Sequence, residues 1–165
     1  MTLETVFYYL IIWSAIGFII FCAYVYAVFR TGIVYTARKQ DGTLKEEIPP
    51  SGYLNMLILL ISIVGFQCLA NYLGLVRESI TIGFWALFLL NFSHFLILLL
   101  LDSLVIDGLV IALWRPQFLN LPDTMGRESM KKHILASIPV GTVAGIVLAM
   151  VSTTISYFWL FAGSL

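Results

Sequence analysis

The sequence predicts an all-α integral membrane protein, a bundle of four transmembrane helices, and three observations carry that prediction. Hydrophobic residues make up 61% of the 165-residue chain and charged ones only 11%, against about 25% charged in a soluble domain. Four apolar runs reach the roughly 17–25 residues that a bilayer-spanning helix needs. The basic residues, finally, are sorted by connection: Arg30, Arg38, Lys39 and Lys45 lie between spans one and two, and Arg115, Arg127, Lys131 and Lys132 between spans three and four. The remaining connection holds only Arg77. By the positive-inside rule both long connections, about 30–52 and 115–133, are expected to be cytoplasmic and both termini outside.

Span one covers about Val6 to Phe29. Glu4 precedes it, no Lys or Arg does, and its apolar run exceeds that of a signal-peptide core, so it reads as a retained helix. The connection that follows carries Asp41-Gly42, a type I′ hairpin signal, between stretches that partly alternate. A small hairpin and a solvated charged loop ending at Pro49-Pro50 describe it equally well. Span two covers about Tyr53 to Leu75 and contributes Asn55, Ser62, Gln67 and Asn71. Gln67 and Asn71 are i,i+4 neighbours, which puts both amides on one face, where they are expected to hold helices together.

Span three stays apolar from Ile80 to Trp114. As one α-helix it would measure ~52 Å, while the hydrocarbon core is only ~30 Å thick. Two registers follow. In one, hydrocarbon ends near Asp102 and the remainder lies at the cytoplasmic interface. In the other, Trp85 and Trp114 sit at the two headgroup levels, ~43 Å apart along the helix, and Asp102 and Asp107 fall inside the apolar zone. At 100° per residue, Asn91, His94 and Asp102 lie within about 80° of one another and form a polar track, with Ser103 and Asp107 on roughly the opposite side. An Asp at the centre of an inserting helix costs about 2.5–3.5 kcal/mol, so it is expected to pair, protonate or face a wet cavity.

Pro116 and Pro122 end any helix arriving from Trp114, and the helical pattern restarts near Asp123 to lead into span four, about Ile134 to Phe161. Here Ser137, Gly141, Gly145, Ala149 and Thr153 recur every fourth residue, a small-residue stripe that lets another backbone approach closely. The partner helix is expected from the same chain or from a second copy. Pro139 beside the stripe is expected to bend the helix. His133 falls at the cytoplasmic end of this span, at a different depth from His94, which disfavours a haem held by the two histidines.

No motif selects an activity. Cys22 and Cys68 are isolated on separate spans and read as free core residues, with no metal-ligand spacing. There is no phosphate-cradling glycine loop, no GxSxG and no HExxH, and no cofactor is implied. Nine Lys+Arg balance nine Asp+Glu, which argues against nucleic acid as a partner; the lipid bilayer is the expected one. Three readings stay open. The first is a transporter or channel-like protein using the Asn91, His94, Asp102 track. The second is a non-catalytic subunit that docks a membrane protein or a second copy through the span-four stripe. The third, less favoured, is an intramembrane enzyme with Asp102, Asp107 and His133 at the cytoplasmic leaflet. The size and the absence of a cleavable leader fit a prokaryotic cytoplasmic membrane.

Overall fold

Four long helices, α1 (Leu3–Thr31), α2 (Pro50–Asn71), α3 (Phe84–Leu101) and α4 (Arg127–Ile155), make up most of the chain in a computed structural model that describes residues 2–31, 47–119, 121 and 127–161. No strand occurs among the described residues. The expected hairpin around Asp41-Gly42 and the helix restart at Asp123 lie outside them. By length and composition all four helices, with their continuations, can cross a membrane. Their exposed faces agree: Ile19, Ile61, Leu89, Leu104 and Val140 are each more than half exposed, a belt that water would reject and lipid would accept.

The termini of the helices follow from local chemistry. The Thr2 hydroxyl accepts the Thr5 N–H at 3.2 Å and caps α1, with Glu4 in the first turn and Arg30 in the last complementing the helix dipole. Pro50 opens α2 at the position where its missing N–H costs nothing. In the short connection after α2, Ser79 adopts φ 56°, while its N–H and that of Ile80 bond back to Val76 and Leu75. α4 continues on both sides of Pro139.

Three helices change their winding before they end. α2 continues as a π-helix over Tyr72–Val76, α3 over Asp102–Trp114 and α4 over Ser156–Phe161. Each N–H there reaches back five residues, as Arg77 does to Tyr72 and Arg115 to Val110, so every turn takes up more residues than an α-turn. This corrects the length expected for span three. The 13 π-helical residues climb less than the same number in an α-helix, and Trp85 and Trp114 are closer along the axis than the ~43 Å of α-helical rise. The helix ends where Pro116 requires, with Arg115 in the left-handed region at φ 48° and a single turn, Gln117–Leu119, after it.

The residues fall into two compact units, and each long helix contributes a stretch to both. The first unit comprises Met1–Gly17, Leu59–Leu98 and Thr142–Leu165; the second comprises Phe18–Ile58 and Leu99–Gly141. Tyr9, Ala70, Leu75, Leu87 and Leu90 form the apolar core of the first unit. Phe29, Ile106, Ile111, Leu119 and Met130 form that of the second. In a bilayer, where lipid tails are as apolar as these side chains, helices of this kind are held by close van der Waals contact and hydrogen bonds rather than by expulsion of water.

The small-residue stripe meets α3 of the same chain. In the second unit a Cβ added at Gly141 would come within 2.7 Å of Leu99 Cδ1. In the first, Gly145 lies against the Phe95 ring, and Ala149 and Thr153 are fully buried. Ser137 is half-buried and returns its hydroxyl to the Ile134 carbonyl at 3.1 Å.

Candidate functional site

In the first unit two hydrogen-bonded polar clusters, both anchored on α2, together reach all four helices. Their organisers are Gln67 and Asn71, whose shared face on α2 sets one amide above the other. Gln67 donates to the Asn91 carbonyl of α3 at 2.9 Å and accepts from the Ser152 hydroxyl of α4 at 2.6 Å. Asn71 accepts from the Tyr9 hydroxyl of α1 at 2.7 Å and donates to Ser156 at 2.9 Å. The Asn91 amide in turn donates to Thr153 at 2.9 Å, and the Cys68 thiol, free of any disulfide, reaches the Ser152 carbonyl at 3.7 Å. Asn71 and Ser156 stand where α-winding gives way to π-winding, so the network ties two irregular helix ends together.

The sequence placed Gln67, Asn71, Asn91 and Thr153 on their faces but missed Tyr9, Ser152 and Ser156. Ser152 and Ser156 are themselves an i,i+4 pair, which was the available signal. Tyr9 had none, since a tyrosine near a helix end reads equally as an interface anchor.

Beside this network lies His94, one helical turn from Asn91 and with no exposed surface. Its ring packs against Phe66, with centroids 5.7 Å apart, and edge-on to Tyr9 at 6.4 Å. Trp13 closes on both partners, at 6.4 Å from Tyr9 and 6.1 Å from Phe66. Gly74 makes room for this aromatic wall, because a Cβ there would meet the Trp13 indole nitrogen at 2.6 Å. Neither ring nitrogen of His94 has a hydrogen-bond partner among the described residues. The same is true of Asn91 Oδ1 and of the Ser14 hydroxyl in the same unit. The main chain of Trp13 approaches the imidazole as a loose hydrogen-bond partner, outside the geometry of a well-formed bond. A buried polar group left without a partner costs about 1–3 kcal/mol. Unmet donors and acceptors of this kind call for a specific explanation, such as an ordered water or a ligand.

Asp102, expected on the same track as Asn91 and His94, belongs to the second unit. It is half-buried, and no hydrogen bond or ion pair to it occurs among the described residues. The expectation that Asp102 and Asp107 point to opposite sides of their helix is overturned. It rested on α-helical geometry, and residues 102–114 are π-helical, so a separation of five residues is little more than one turn and brings the two to the same side of the helix. The two carboxylates are close enough to feel each other's charge. Asp107 is buried and faces His133 of α4, with Nε2 and Oδ2 3.6 Å apart. At that distance the contact is an ion pair when the imidazole is protonated and too long for a hydrogen bond. Cys22 of α1 lies within electrostatic reach of Asp102, and the Ser103 hydroxyl is buried without a partner.

Among the described residues no three His, Cys, Asp or Glu side chains are grouped as metal ligands. No protein-family model, curated protein or solved structure matches the chain.

Proposed function

We propose that this protein is a small membrane transporter or channel-like protein whose solute-handling group is His94. One observation carries the reading: a fully buried imidazole with no well-formed hydrogen bond to either nitrogen among the described residues, next to the unpartnered Oδ1 of Asn91. A residue needed only to fill space there would be apolar, because Leu or Phe would make the same contacts without unmet hydrogen bonds. A neutral imidazole offers one donor and one acceptor, and Asn91 Oδ1 and the Ser14 hydroxyl add to that capacity in the same unit. Such a set accepts a proton or a small hydrogen-bonding solute and passes it on without a fixed charge. Intramembrane histidines serve in proton relays for the same reason.

The reading sets the chain in a prokaryotic cytoplasmic membrane with both termini outside, supported by the eight basic residues of the two long connections against Arg77 alone in the short one. The test is proton flux into proteoliposomes that contain a trapped pH dye, driven by a potassium diffusion potential. The wild-type protein is expected to carry protons faster than protein-free vesicles, and His94→Gln to abolish the difference. Flux equal to that of empty vesicles, or full flux through His94→Gln, refutes the proposal.

A further inference from the structure

We propose that the end of the second unit where α1 stops and the chain turns after Trp114 binds the headgroup of an anionic phospholipid, with Tyr26, Trp114 and Phe118 as an aromatic platform and Arg30 as the principal cation. The platform is the first argument. Tyr26 of α1 and Trp114 both meet the ring of Phe118, with centroids 6.2 and 6.1 Å away. Tyr26, Trp114 and Phe118 are nevertheless 48%, 66% and 51% exposed. The turn that carries Phe118 is pinned from within: Pro116 and Leu119 are buried, and the Leu119 N–H bonds to the Pro116 carbonyl at 3.1 Å. Packing therefore holds the three rings together on the surface. Tyr and Trp gather at the headgroup level of a bilayer, where one end of the ring is apolar and the other wet.

Charge is the second argument. Arg30 stands four residues beyond Tyr26 and so shares its face of α1, one turn nearer the helix end. It is exposed and makes no ion pair among the described residues. Its neighbour Phe29 packs in one apolar cluster with Leu119 and Met130, which brings the start of α4, and with it the exposed Lys131 and Lys132, to the same end. Arg115 follows Trp114 with its backbone in the left-handed region at φ 48°, a conformation that residues other than glycine seldom adopt. Against these four cations, Glu47 is the one exposed carboxylate among the described side chains of this unit. A surplus of this sign draws anionic lipid, at about fivefold in affinity for each Lys or Arg near the membrane surface. The rings commit the site to a lipid, because a soluble phosphate would use the cations and leave the aromatic platform without an occupant. The inference rests on the chain crossing a bilayer and stands apart from the His94 reading.

The test is native mass spectrometry of the protein in a neutral detergent, offered equal amounts of phosphatidylglycerol and phosphatidylcholine with the same acyl chains. The wild-type protein is expected to retain phosphatidylglycerol in preference to phosphatidylcholine, and not to retain glycerol phosphate, which carries the charge without the chains. Arg30→Gln should cut the preference about fivefold, and Trp114→Ala should lower retention of phosphatidylglycerol. Arg77→Gln, which removes the cation of the short connection, should change neither. Equal retention of the two lipids by the wild-type protein overturns the proposal, and so does glycerol phosphate held as firmly as phosphatidylglycerol, the mark of a soluble-anion site. Both are read on the unmodified protein, so poor folding of a variant cannot obscure them. A preference undiminished in Arg30→Gln, or diminished equally in Arg77→Gln, also overturns it. None of these outcomes bears on the proton-flux result for His94.

Discussion

Two glycine-to-alanine substitutions on α4, with a third at Gly65 of α2 as the reference, measure how closely α4 packs on α3. At Gly145 a Cβ would stand 2.6 Å from Phe95 Cε1 and 3.2 Å from its Cγ, along the flank of a buried ring. The ring has no free end to swing aside, so the helices or the Phe95 rotamer must move, and overpacking of this kind costs typically 1–3 kcal/mol. Replacing a helical glycine by alanine returns about 1 kcal/mol of backbone preference, which leaves a net loss of up to about 2 kcal/mol, or a factor of up to ~30 in the folding equilibrium. Gly141 meets only the methyl groups of Leu99, at 2.7 and 3.1 Å. These sit at the end of a flexible, half-buried side chain, so rotation absorbs the methyl and the net change is near zero. Gly65 has nothing within 4 Å and shows the helix gain alone, up to about 1 kcal/mol. Reversible unfolding in mixed micelles, followed by circular dichroism as denaturing detergent is added, should therefore rank Gly65→Ala above Gly141→Ala and Gly141→Ala above Gly145→Ala. A Gly145→Ala protein as stable as Gly65→Ala would refute the close contact with Phe95.

The hydrogen-bond network gives two more tests in the same assay. A double-mutant cycle of Gln67→Leu with Ser152→Ala should return a coupling of about 0.6 kcal/mol and no more than ~1.7, the range measured for hydrogen bonds between membrane helices; a coupling of zero would show that the 2.6 Å contact adds nothing to stability. Asn71→Leu should cost about twice as much as Tyr9→Phe, since the first removes the partner of both Tyr9 and Ser156 and the second breaks one of those bonds. Equal losses would mean that the bond to Ser156 is energetically silent.

Spacing within a helix was legible wherever a polar or small residue broke the apolar background. Gln67 and Asn71 were expected on one face as helix-holding amides, and each bridges two other helices. Gly141 and Gly145 were expected to admit a close neighbour, and both do. What spacing withholds is the identity of the neighbour, because a helical wheel orders residues around one axis and says nothing of what stands opposite. The aromatic wall around His94 was invisible for this reason: Tyr9, Trp13 and Phe66 come from two other helices and carry no pattern that joins them to residue 94.

The change of winding in α3 was hidden for a different reason. Period is read from alternation between apolar and polar residues, and Leu96–Leu101 and Leu109–Trp114 offer almost none. A uniformly apolar stretch fits α- and π-winding equally well, and the α-helical period was the default for placing Asp102 and Asp107. That default put them apart, whereas the wider winding of the folded helix puts them little more than one turn from each other, on the same side.

Composition and run length alone determined that the chain forms four helices long and apolar enough to cross a membrane, because a chain with so little charge cannot coat itself against water and a bilayer admits few structures other than helices. Tertiary structure decided which polar groups are bonded and which are left open. Gln67 and Asn71 found their partners on neighbouring helices, and His94 found only aromatic rings. That outcome depends on how four axes come together, and packing between helices leaves no mark on the sequence of any one of them.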